Sequence, residues 1–317
     1  MITSLDFRPH PFIRGGHLQT IAAVYWPMRK VPYRANLRLV DVPDGDKIAL
    51  HDDCPNAWMG LDKVALLMHG LAGCHGSGYM VRIAAKLNAR GVRTFRMDMR
   101  GTGAASGHAR FPGHAGRTED AAAAIEAIAG LCPKAPLTLI GFSMGGNVAL
   151  STLANGSNQP IGNLERGIAV SPPVDLSKCC RELRIGTSNL YDKYLIRFLV
   201  RRWLNAGGQL NGKRPSSIYQ FDNQITAPLS GYRDAEDYYA NASSGPRLCE
   251  ISLPTRILAA KDDPVVAYSA IESTKRSSHV ELFATERGGH LGYLAHTSVV
   301  SDNRWMDELI TSWVCGW

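Results

Sequence analysis

Short apolar runs alternate with stretches of helical periodicity over most of the chain. Val64–Met68, Leu137–Ile140, Gly167–Ser171, Pro254–Ala260 and Val280–Ala284 are each four to seven residues long, which suits strands buried on both faces. Helix-like segments lie between several of them, beginning with Asn147-Val148-Ala149-Leu150 after the second run. Strands alternating with helices predict a mostly parallel, eight-stranded sheet flanked by helices. After Ser171 the alternation gives way to helical stretches and loops until the run that starts near Thr255. This predicts a helical insertion over 175–250, set on a core made of 1–174 and 251–317. The best-defined helix of the insertion runs from Asn189 to Asn205, with Tyr191, Tyr194, Leu195, Phe198, Leu199 and Trp203 at helical spacing and Gly207-Gly208 at its end.

The second run enters Gly141-Phe142-Ser143-Met144-Gly145-Gly146, the pattern of a strand, a sharp turn and a helix. A serine at such an elbow is held in a strained backbone conformation that presents its hydroxyl, and the flanking glycines let the helix pass the strand. Attack by that hydroxyl needs a base, and the base needs an acid to orient it. Pro254–Ala260 runs straight into Lys261-Asp262-Asp263-Pro264, and Val280–Ala284 leads through Gly288-Gly289 to His290. Ser143 is therefore the candidate nucleophile and His290 the candidate base. Asp263, just before the Pro264-Val265-Val266 turn, is preferred as the acid, with Asp262 as its rival. Charge developing on the substrate oxygen calls for two backbone N–H donors. Met144 follows the nucleophile, and Leu71 lies in His69-Gly70-Leu71-Ala72-Gly73 after the first strand run. His69, opening a His-Gly turn, reads as an organiser of that loop rather than as a base. Phe142, Met144, Leu71 and Tyr293 flank these groups in sequence, and no more than one of the four is expected to touch substrate.

With His69-Gly70, the elbow at Ser143, Asp263 and His290 in order, the chain resembles an α/β-hydrolase. Its opening strings, Phe7-Arg8-Pro9-His10-Pro11-Phe12 and Gly15-Gly16-His17-Leu18-Gln19-Thr20-Ile21, resemble the start of the YheT-type hydrolases, relatives of the ABHD1/ABHD3-like esterases. Asp98-Met99-Arg100-Gly101-Thr102-Gly103 matches a loop these enzymes carry, with Thr102 where His is frequent. The resemblance implies a carboxylic-ester hydrolase acting without a cofactor on short-chain esters, monoacylglycerols or phospholipids. In the opening string, His17 is expected to anchor the segment against the core.

Bulk properties change this picture little. The 317 residues are 45% hydrophobic, enough for one large α/β core. No apolar run reaches bilayer length, and the amino-terminal stretch is too polar for a secretory signal. Seven cysteines with no C-x-x-C pair speak against a disulfide framework or a zinc knuckle, which points to a reducing cytoplasm. Cys74-His75 lacks an elbow and is set aside as a nucleophile. No histidine cluster of HExxH type suggests a metal.

Charge is concentrated in one place. From Lys178 to Arg214 nine basic residues face Glu182 and Asp192, a surplus of +7 that equals that of the whole chain. A basic helix with aromatic residues opposite could rest on an anionic bilayer. The favoured expectation is that the aromatic stripe closes over the pocket and the charges face water. No nucleic-acid reading motif accompanies the charge. The expected partner is a small-molecule ester, with lipid-like esters among those the resemblance implies. Acyl transfer to another acceptor uses the same groups and stands as the alternative, as does a non-catalytic binding protein on the same fold.

Overall fold

The computed structural model describes residues 2–210 and 212–317. In chain order its strands are β1 (Ile2–Ser4), β2 (Asn36–Asp41), β3 (Lys47–Asp53), β4 (Val64–Met68), β5 (Arg93–Asp98), β6 (Leu137–Phe142), β7 (Leu164–Val170), β8 (Thr255–Ala260) and β9 (Val280–Thr285). They form one sheet in the order β1-β9-β8-β7-β6-β4-β5-β3-β2, antiparallel only where β3 meets β2 and β5. Strands β4, β5 and β6 are buried along their whole length; β4 and β6 read as apolar runs, whereas β5 carries Arg93, Arg96 and Asp98, each paired with a side chain of opposite charge or a histidine.

Among the described residues the sheet has nine strands, where eight were expected. The additional edge is Ile2–Ser4, which pairs in parallel with Leu282–Ala284 of β9. Three exposed residues carry no periodicity of their own, and only the neighbouring strand makes them a strand.

Helices cover both faces. They are α1 (Gly16–Tyr25), α2 (Gly78–Asn88), α3 (Thr118–Leu131), α4 (Met144–Asn158), α5 (Leu176–Glu182), α6 (Asn189–Asn205), α7 (Ile218–Phe221), α8 (Ala227–Leu229), α9 (Ala235–Ala242), α10 (Tyr268–Ser273) and α11 (Trp305–Gly316). One face of the sheet packs Met80, Ile83, Leu87, Met306 and Ile310 from α2 and α11. The other packs α3 and α4 and is continuous with apolar residues of α6 to α9, among them Ile196, Leu199, Phe221 and Tyr239.

Five of the helices, α5 to α9, lie between β7 and β8. A π-helical turn, Asp222–Thr226, joins α7 to α8. Helix α6 has the bounds read from the sequence, but its aromatic stripe divides in two. Tyr191, Leu195, Leu199 and Trp203 pack inward, whereas Tyr194 and Phe198 are exposed beside Lys193, Arg197 and Arg201. The six positions span more than the one face that the core can cover, so those nearest the basic side are left in water.

Candidate active site

Ser143 sits between β6 and α4 with φ 51° and ψ −122°, a conformation that a residue with a side chain adopts only under constraint. The elbow is tight because α4 turns back at once beside β4. A Cβ on Gly145 would lie 2.5 Å from the His69 carbonyl oxygen, so only glycine passes there. Gly70 approaches from the other side, and a Cβ on it would stand 3.0 Å from that of Ser143.

The loops after β8 and β9 meet the elbow. His290 Nε2 lies 3.0 Å from Ser143 Oγ, and His290 Nδ1 lies 2.9 Å from Asp263 Oδ2. With Nδ1 carrying the proton, the imidazole donates to Asp263 and can accept from the serine hydroxyl. Asp263 is almost wholly buried, and its Oδ1 accepts the backbone N–H groups of Val265 and Val266 at 2.8 and 2.9 Å. The rival carboxylate turns elsewhere. Asp262 Oδ1 accepts the N–H of Gly289 at 2.9 Å, which ties the loop after β8 to the loop that carries His290.

Leu71 and Met144 both border a cavity of about 400 Å³ that opens at Ser143. Among the described residues neither of their N–H groups is bonded to a protein acceptor. Phe142 and Tyr293 are fully buried instead, Phe142 against Tyr79 and Tyr293 between Phe7 and Trp305. Two of the four flanking residues, Leu71 and Met144, thus line the cavity. Sequence adjacency to the elbow does not fix side-chain direction, and a strand residue one position before the turn points into the sheet's packing.

His69 is buried and held neutral, its pKa pushed down to about 4 chiefly by burial. Its Nδ1–H donates to Gly70 O at 2.8 Å, and its Nε2 accepts Met99 N–H and faces Thr102 Oγ1 at 3.1 Å. It therefore joins the loop after β4 to the loop after β5, through Met99 and Thr102.

His17 departs from its expected place. It is exposed, its ring stacks on Tyr191 of α6, and it bonds Tyr191 Oη at 3.0 Å and Thr187 Oγ1 at 3.1 Å. The anchor against the core is Gln19, fully buried and bonded to both the N–H and the carbonyl of Leu294. Two residues apart on a helix lie on nearly opposite faces, so one string serves both partners.

A second cluster was not singled out from the sequence. Asp98 at the end of β5 takes bonds from His51 Nε2 at 2.9 Å and His75 Nδ1 at 2.7 Å, and the two rings stack at 3.5 Å. Burial works to raise the Asp98 pKa, but these bonds and the N–H groups of His75 and Ala104 hold it down to about 2. His75 is committed to this cluster rather than to the elbow.

The cavity itself is mainly apolar, with a polar far wall. Asp222, in the π-helical turn, accepts bonds from Thr226 and Tyr239 at 2.7 and 2.8 Å, and burial raises its pKa to about 6. All seven cysteines are free thiols. No helix among the described residues is long and apolar enough to cross a membrane.

The profile of the family described as serine aminopeptidase, S33, matches residues 61–290. YheT of Escherichia coli (strain K12), by name an esterase, is 29% identical over 98% of this chain and 94% of its own length. Phospholipase ABHD3 of Homo sapiens is 27% identical over 84% of this chain and 68% of its own length. The monoacylglycerol lipase of Saccharomyces cerevisiae is 27% identical over 84% and 60%. Among solved structures, the esterase Pf2001 of Pyrococcus furiosus superposes with a TM-score of 0.58 at 17% identity, covering 92% of this chain and 99% of its own. That likeness speaks for the fold, an α/β-hydrolase sheet with flanking helices.

Proposed function

Because the chain belongs to the serine aminopeptidase, S33, family of α/β-hydrolases, we propose that it hydrolyses carboxylic esters through an acyl-enzyme formed on Ser143. The observation that carries this reading is the unbroken relay from Asp263 Oδ2 through the His290 ring to Ser143 Oγ, with steps of 2.9 and 3.0 Å, at the mouth of an apolar cavity.

His290 Nε2 takes the hydroxyl proton as Ser143 Oγ attacks the acyl carbon. Asp263 keeps the imidazole in the tautomer that can accept this proton and stabilises the imidazolium that results. The N–H groups of Leu71 and Met144 receive the charge on the tetrahedral oxygen; their freedom from protein acceptors supports that assignment. His290 then protonates the leaving alcohol, and water repeats the cycle to release the acid. The segment 175–250 acts as a cap whose α6 forms one wall of the acyl pocket, while 1–174 and 251–317 make the catalytic core. Relatives named esterase, monoacylglycerol lipase and phospholipase favour an ester with an acyl chain. The free cysteines favour a reducing compartment such as the cytoplasm.

The test is a series of nitrophenyl esters of increasing acyl length, run with the wild type, Ser143→Ala and His290→Ala. The proposal expects a serine-directed phosphonate to label Ser143 and to spare the alanine variant. Labelling at another residue, or undiminished turnover by Ser143→Ala, would end it. The same assay with competing alcohols separates hydrolysis from acyl transfer by its products.

A further inference from the structure

Arg202 lies on the stripe of α6 that faces the cavity, next to Leu199 and Trp203, and its guanidinium rests against the backbone at Gly101 and Gly113. The only polar partner it meets among the described residues is the carbonyl oxygen of Arg100, at 2.8 Å from Nη2. Among the described residues no carboxylate stands within ion-pair distance of it. A guanidinium has five N–H donors, so most of its capacity is left for the cavity.

This isolation is specific to Arg202. In the same loops Arg100 is surrounded by Asp44, Asp46 and Asp120, and Arg110 is paired with Asp46. Arg110 and Asp222 also line the cavity, and Asp222 is held by Thr226 and Tyr239. His114, also on that wall, is kept neutral by its burial. Among the described residues Arg202 is therefore the one cation of the cavity wall that no protein anion pairs with. Loss of water lowers its pKa to about 10, and no neighbouring charge opposes that shift. Burial is the main cause that keeps His69 neutral, and the Arg202 charge acts in the same direction.

We infer that Arg202 binds an anionic group of the substrate, so that the preferred esters carry a carboxylate or phosphate oxyanion beside an apolar chain. The inference rests on the esterase reading and adds the substrate class to it. An uncompensated guanidinium in an apolar cleft gains most from a planar or tetrahedral oxyanion, which it can engage through two parallel N–H bonds. The apolar remainder of the cavity, including Leu195, Phe221 and Val265, accommodates the chain. A purely structural use, in which Arg202 only ties α6 to the Arg100 carbonyl, needs one of its donors and no anion.

The experiment compares matched esters. One pair places the anion on the acyl side: the mono-p-nitrophenyl ester of adipic acid against p-nitrophenyl hexanoate. The other places it on the alcohol side: 1-octanoylglycerol 3-phosphate against 1-octanoylglycerol. The wild type is expected to favour the anionic member of at least one pair, and the pair that responds identifies the source of the charge. Arg202→Gln should lower the anionic-to-neutral ratio of kcat/KM by about tenfold or more, with Arg202→Lys in between. An equal ratio in wild type and Arg202→Gln for both pairs would overturn the inference and leave the structural tie. Calorimetric binding of 1-octanoylglycerol 3-phosphate and of 1-octanoylglycerol to Ser143→Ala, with and without Arg202→Gln, gives the same ratio without turnover. If no ester is cleaved, the esterase reading fails while the binding ratio still decides the role of Arg202.

Discussion

The hydroxyl oxygen of Thr20 accepts the backbone N–H of His290 at 2.8 Å, across 270 residues of chain. The same hydroxyl donates to Gly16 O at 2.7 Å, so it is oriented before it meets the histidine loop. Around this bond the amino-terminal string fits the loop with no space to spare: a Cβ on Gly16 would overlap the Asp262 carbonyl oxygen, and one on Gly289 would overlap Gly16. In the proposed mechanism Thr20 positions the base. Thr20→Val keeps the shape and removes the acceptor, and it should lower kcat about tenfold with KM changed little. Thr20→Ser should restore most of the rate, which distinguishes the hydrogen bond from mere packing.

Ser143→Ala and His290→Ala should each reduce kcat at least about a thousandfold, and the double variant should be scarcely worse than either, because the two groups act as one unit. Steady-state kinetics on a nitrophenyl ester checks this. Additive losses would mean that the two side chains do not share a proton.

The neighbouring aspartates should separate cleanly. Asp263→Asn leaves the geometry but removes the charge that holds the tautomer, so kcat should fall by about 10³–10⁴. Asp262→Ala loses only the tie to Gly289, for a loss of about tenfold or less, accompanied by a lower melting temperature. The reverse ranking would transfer the role of acid to Asp262.

Two buried groups near the cavity should affect stability with opposite sign. His114 is neutral when folded, its pKa lowered to about 3 by burial from an ordinary 6.5. Between these values the unfolded chain binds the proton and the folded one does not, so this residue's contribution is lost as pH falls below about 6.5. Relative to wild type, His114→Asn should therefore gain up to about 1.4 kcal/mol per pH unit on acidification from pH 6 to 4. Asp222 is the converse case. Its folded pKa of about 6 exceeds the ordinary 3.8, so its contribution is present at low pH and is lost as pH rises from about 4 to 6. Asp222→Asn should gain on wild type across that rise. Urea unfolding at half-unit pH steps reads both differences.

Much of the site was legible because its parts sit at the ends of strands with strong local signals. Val64–Met68, Leu137–Ile140 and Val280–Ala284 read as strands from composition alone, and the loops that follow carry Leu71, Ser143 and His290. What was not legible depends on neighbours distant in the chain. Ile2–Ser4 is a strand because β9 offers it an edge. His17 turns to α6 and Gln19 to Leu294 because α1 is wedged between them. His51, His75 and Asp98 lie in three separate segments, and nothing in any one of them announces the stacked pair.

Sequence alone determined the kinds of groups available, their order and the strand exits from which they could act, since apolar periodicity and glycine spacing are local properties of the chain. Only the tertiary structure decided which aspartate meets His290, which face of α6 looks into the cavity, and that Arg202 is left there without a carboxylate. Those outcomes turn on distances of a few ångströms between residues far apart in sequence, and a contact of that kind exists only once the sheet has brought its loops together.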